Sequence, residues 1–72
     1  MIPWGTRLRV LRALRDISQE DIAAATGLAR VTISSYEVGR SLPSVESEHA
    51  IRQALGWTPE MDAALEKLGG DA

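Results

Sequence analysis

The 72-residue chain contains no cysteine and no phenylalanine, and its aromatic side chains are two tryptophans and one tyrosine. Without thiols it can form neither a disulfide staple nor a thiolate zinc site. A chain this short buries only about 60% of the surface it exposes when unfolded, so modest stability is expected, with oligomerisation as the remaining support. No apolar run approaches the roughly 20 residues of a membrane span, and the N-terminus lacks the basic-then-apolar layout of a signal peptide. A cytoplasmic protein without membrane association is the expectation. His49 is the single histidine, which argues against a metal site. A glycine-rich phosphate loop is missing, and the carboxylates show no pairing suited to general acid-base chemistry. Ser47, His49 and Asp62 can be written as a triad, but many chains with serine permit that. No catalytic residue, cofactor or small-molecule ligand is expected, and the chain does not read as an enzyme.

What is present is 44% hydrophobic and 25% charged, the profile of one small domain over residues 1–72. The net charge of -2 hides an asymmetry. Residues 1–40 hold six arginines against Asp16, Glu20, Asp21 and Glu37, a net +2. Residues 41–72 hold Arg52 and Lys67 against six acids, a net -4. One end of the molecule can therefore face an anion while the other would not.

The hydrophobic spacing predicts an all-α bundle of about five short helices. Leu8, Leu11 and Leu14, with Val10 between them, indicate a first helix from Thr6 to Arg15. Ser18 before Gln19, Glu20 and Asp21 is a helix start, because the serine oxygen accepts orphan N–H groups and the acids sit at the positive helix end. Gly27 suits the left-handed turn that stops this second helix. A third, from Arg30 to about Val38, has a β-branched interior, so tertiary contacts must hold it. Pro43 and Ser44 open a fourth that runs to Leu55 with Val45, Ile51 and Leu55 as its apolar positions, and Gly56 ends it. Thr58 and Pro59 start a fifth, whose Met61, Ala64, Leu65 and Leu68 form one apolar stripe. Residues 69–72 are expected to fray. Trp57, Tyr36 and Ile51 read as core.

The second and third helices have the features of a helix-turn-helix: small Ala23 at a close crossing, Gly27 at the turn, Leu28 and Ile33 in the wedge. With Ile33 inward, Tyr36 and Glu37 also face in, while Val31, Ser34, Ser35 and Val38 face out behind an exposed Arg30. Such a face suits a major groove about 12 Å wide. The segments "LRVLR", "SQEDIA", "TGLARVTISSYEVGR" and "LPS", in this order between about Leu8 and Gly56, resemble the lambda-repressor and Cro-like (XRE-type) helix-turn-helix family of bacterial and phage transcription regulators. The resemblance implies a homodimeric repressor at the nucleoid, placing two recognition helices in successive major grooves of a palindromic double-stranded DNA operator about one turn apart.

Matched position by position, the resemblance assigns base contacts to Arg30, Val31, Ser34 and Ser35. Arg30 would pair with guanine and Val31 with a thymine methyl. Phosphate contacts fall to Ser18, Gln19, Ala29, Thr32 and Arg40. Arg12 and Glu37 match the family's buried structural ion pair, and removing one partner would strand the other charge. Arg9 and Arg15 are evenly placed between phosphate contact and ordinary surface charge. Three departures stand out. Ala29 replaces the usual serine or threonine cap, a loss of about 1 kcal/mol. Val10 and Leu14 replace polar residues. Glu48 and Arg52 replace apolar ones, at a spacing that permits an ion pair. Apolar surface has thus moved, and Val10, Leu14, Met61, Ala64, Leu65 and Leu68 form the candidate dimer interface, with Trp4 near the C-terminal helix or a second subunit. The acidic C-terminal half and the displaced apolar residues leave a second reading open: a protein-interaction module on the same fold, an antitoxin or a phage factor that binds a toxin or the host transcription machinery.

Overall fold

A computed structural model describes residues 2–70, all of whose regular elements are helices. The first helix, α1 (Trp4–Leu14), begins two residues before the expected Thr6. Gly5 makes this start workable. A Cβ there would collide with the Tyr36 carbonyl oxygen, so only glycine lets the two backbones meet. Leu8 and Leu11 are buried as expected, but Leu14 is 75% exposed. The reason is angular: each three-residue step falls about 60° short of a full turn, and by Leu14 the side chain has left the core face. Trp4, Leu8 and Leu11, at intervals of four and three, form the inner stripe instead.

The second helix, α2 (Gln19–Thr26), starts with a reciprocal cap. The Asp21 N–H donates to Ser18 Oγ at 3.0 Å, and the Ser18 N–H donates to Asp21 Oδ2 at 3.2 Å. Gly27, at φ 77°, makes the left-handed turn that ends it. Helix α3 (Arg30–Glu37) has no side-chain cap, as Ala29 implies, and buries Ile33, Tyr36 and Glu37. Helix α4 (Val45–Leu55) is capped by Ser44 Oγ, which accepts the Ser47 N–H at 3.1 Å. Ile51 and Leu55 are buried, whereas Val45, expected on the same side, is 82% exposed. Six residues separate Val45 from Ile51, which turns it about 120° from that face. Helix α5 (Pro59–Gly70) starts under Thr58, whose hydroxyl accepts the Met61 N–H at 3.3 Å. It continues through Gly69 and Gly70, where fraying was expected; Asp71 and Ala72 lie outside the described residues.

Helix α2 lies on α3 and α4, and α1 lies on α3. Their inner faces share one core of Leu8, Leu11, Ile22, Ile33, Ile51 and Leu55, extended by Tyr36, Trp57 and Leu65. Trp4 stacks on Trp57 at 5.2 Å and meets Tyr36 edge-on at 6.1 Å. A polar network ties α5 to this body. The Asp62 carboxylate accepts hydrogen bonds from Arg7 Nη1, Arg52 Nη1 and Trp57 Nε1 at 2.8–2.9 Å. Glu48 pairs with Arg52 across one helical turn, as the spacing permits, and Glu66 pairs with Arg7. The Arg52 guanidinium lies 4.4 Å above the Trp57 ring, an attractive placement for a cation over a π face. Burial opposes ionisation of Asp62, but these hydrogen bonds outweigh it and hold its carboxyl below the usual range. No helix of the described residues is long and apolar enough to cross a membrane.

Candidate nucleic-acid interface

Burial of Ile33, Tyr36 and Glu37 fixes the rotation of α3 about its own axis. The opposite face then carries Arg30 and Val31 exposed, with Ser34 and Ser35 partly exposed beside them. These are the four positions expected to reach bases, and the fold brings them to one surface. Of the positions expected at phosphates, Ser18, Ala29 and Arg40 are exposed, while Gln19 and Thr32 are half-buried. Ser18 Oγ is already engaged in the α2 cap. Leu28 packs against the core, as the wedge requires, and the Thr26 hydroxyl supports the turn by accepting the Leu28 N–H at 3.3 Å.

Under this face lies the Arg12–Glu37 pair. Arg12 Nε donates to Glu37 Oε2 at 2.7 Å and Nη2 to Oε1 at 3.2 Å, a two-point fork. Its third contact, Nη1 to the Ile17 carbonyl at 3.0 Å, ties the pair to the α1–α2 turn. The Glu37 side chain is only 4% exposed. Its hydrogen bonds hold the Arg12 guanidinium above the ordinary arginine range, against the opposing effect of burial. Gln19 extends the pair: Nε2 donates to Glu37 Oε1 at 3.1 Å, and Oε1 accepts from Arg30 Nη1 at 3.1 Å. A continuous polar chain thus runs from the core to the exposed face of α3. The sequence identifies all four residues and, through the family resemblance, the Arg12–Glu37 pair, but not the link through Gln19 to Arg30, for Gln19 and Glu37 are 18 positions apart and no local pattern joins them. The Asp62 network was also missed; the only hint was that Glu48 and Arg52 stand where apolar residues are usual.

The candidate dimer stripe is split. Leu65 is 7% exposed and Met61 packs against the same core, so both are spent within the chain rather than offered to a partner. Ala64 and Leu68 on α5, and Val10 and Leu14 on α1, remain exposed. Arg9 is exposed, and Arg15 reaches toward α5, its Nη2 lying 3.8 Å from Met61 Sδ. Both Asp62 oxygens are held by the network described above, which removes that carboxylate from any triad with Ser47 and His49. Among the described residues, no group of three acidic or histidine side chains is placed to hold a metal ion.

Residues 8–47, which span α1 from its buried Leu8 through the start of α4, match the helix-turn-helix family. Over 53 residues the chain is 30% identical to the cryptic phage CTXphi transcriptional repressor RstR of Vibrio cholerae. That similarity takes in 74% of this chain and 48% of the relative, so the chain spans about half the length of the curated protein it matches. No solved structure gives a significant match.

Proposed function

Since the chain belongs to the Cro/C1-type helix-turn-helix family of DNA-binding transcription regulators, we propose that it is a sequence-specific repressor, acting as a homodimer with α3 in the major groove of a palindromic operator. The observation that carries this reading is the outward face of α3, where Arg30 is exposed yet held by Gln19. Arg30 offers a guanidinium fork to the O6/N7 edge of guanine, and Val31 offers an apolar contact to a thymine methyl. Ser34 and Ser35 add short hydrogen-bonding groups that tolerate several bases. Around them, Ser18, Gln19, Ala29, Thr32 and Arg40 are placed to meet the backbone through side chains or N–H groups. The exposed pairs Val10 with Leu14 and Ala64 with Leu68 supply the apolar surface for the second subunit. Few cations face the duplex, so non-specific affinity is weak and dimerisation carries much of the binding.

Selection from random double-stranded DNA tests this. The expected result is an enriched palindrome with half-sites about one turn apart, and an affinity that falls steeply with salt. Arg30→Ala should then lose base preference at one position per half-site, by about 5- to 150-fold. A selection without enrichment, with Arg30→Ala binding bulk DNA like the parent, would refute the reading. A stoichiometric protein partner with no DNA affinity at moderate salt would instead favour the protein-interaction role.

A further inference from the structure

We infer that Gln19 is a positioning residue that couples the buried Arg12–Glu37 pair to base discrimination by Arg30, rather than only a donor to phosphate. The inference rests on the DNA-reading role proposed for α3. The ionised Glu37 carboxylate can only accept hydrogen bonds, and the Arg30 guanidinium can only donate them. A carboxamide between the two has one satisfying orientation: NH2 toward Glu37 and oxygen toward Arg30. The observed contacts of 3.1 Å on both sides have that orientation. Glu37 is itself fixed by the Arg12 fork, so the order of charges from the core outward determines which end of Gln19 meets Arg30.

The consequence falls on the exposed arginine. A free arginine loses considerable rotamer entropy when it is fixed against a base. Here Nη1 is already held, and among the described hydrogen bonds Nε and Nη2 are left uncommitted. Those two groups form one edge of the guanidinium fork, the edge able to take both acceptors of a guanine. Gln19 therefore limits the arc through which this edge can swing, and with it the bases Arg30 can satisfy. A merely structural Gln19 would change how tightly DNA is bound, not which base is preferred.

The test is a double-mutant cycle with Gln19→Met, which keeps the length of the side chain and removes both hydrogen bonds, and Arg30→Ala. Oligonucleotide duplexes carrying each of the four base pairs at the position relaxed by Arg30→Ala are bound by the parent, both single variants and the double variant, over a range of salt. The expected result is that Gln19→Met lowers base preference at that position by about tenfold, with an unchanged salt slope and no further loss in the Arg30→Ala background. Uniform weakening on all four duplexes, additive with Arg30→Ala, would overturn the inference and leave Gln19 a phosphate contact; the salt slope, set by cationic contacts, should not move in either case. Helicity and thermal midpoint are followed in parallel. If Gln19→Met is poorly folded, Gln19→Ala replaces it: that change also removes both hydrogen bonds, and undiminished discrimination in a folded Gln19→Ala protein would equally overturn the coupling. A parent without any base preference would remove both the inference and the reading beneath it, whereas a selective parent with a selective Gln19→Met removes the inference alone.

Discussion

Among the described residues, two arginine-carboxylate networks differ in how they end. Around Asp62, every charged group finds its partner inside the network: Arg7 with Asp62 and Glu66, Arg52 with Asp62 and Glu48. Around Glu37, the chain opens outward through Gln19 to an exposed Arg30. The closed network fastens α5 to α1 and α4. The open one sits beneath α3 and delivers a cation to the surface. The same side-chain chemistry is thus used once for attachment and once for presentation, and only the last member distinguishes them.

The sharpest way to break the contrast is to remove the hub of the open network. Glu37→Leu leaves the Arg12 guanidinium without its carboxylate in a site only 21% exposed at the side chain. A loss of about 3–5 kcal/mol is expected in chemical denaturation, with partial recovery when Arg12→Met is added, because an apolar pair of similar size strands no charge. Asp62→Asn on the closed side should cost less, about 1.5–3 kcal/mol, since Arg7 and Arg52 keep Glu66 and Glu48 as partners. DNA preference should be untouched there, which separates attachment from presentation.

The pH dependence sharpens the same point. The Asp62 carboxyl titrates lower in the folded protein than the ordinary aspartate value of about 3.9. Its contribution is therefore complete above that value and is lost as pH falls through the lower, folded one. Acid titration below about pH 4, followed by tryptophan fluorescence through Trp57, should release α5. The difference between parent and Asp62→Asn isolates this group from the other carboxylates. The smallest effect is a gain. Ala29→Ser supplies the cap that α3 lacks and should stabilise the protein by about 1 kcal/mol, measured as a rise in the denaturation midpoint, without altering the closed network.

Much of this architecture is legible locally. Ser18, Gly27, Ser44, Gly56 and Thr58 mark helix ends because capping is a matter of a few adjacent residues, and each does so here. The inward set Ile33, Tyr36 and Glu37 follows from helical angle alone, and the Arg12–Glu37 pair from family resemblance. The misread positions share a cause. Leu14 and Val45 were placed by counting apolar residues, and the accumulated angle carries both away from the core. The early start at Trp4 and the split of Met61 and Leu65 from Leu68 depend on which neighbour arrives, a tertiary matter. So does the link from Gln19 to Arg30: polar side chains far apart in sequence show no periodicity that would pair them.

At Gly5, main chain meets main chain, where α1 lies against the final turn of α3. The close approach there is between backbones, and no side chain of the outward face of α3 takes part in it. Exchange of Arg30, Val31, Ser34 or Ser35 leaves this contact in place. The surface proposed to read DNA can thus change by substitution while the seat of α3 on α1 stays as it is.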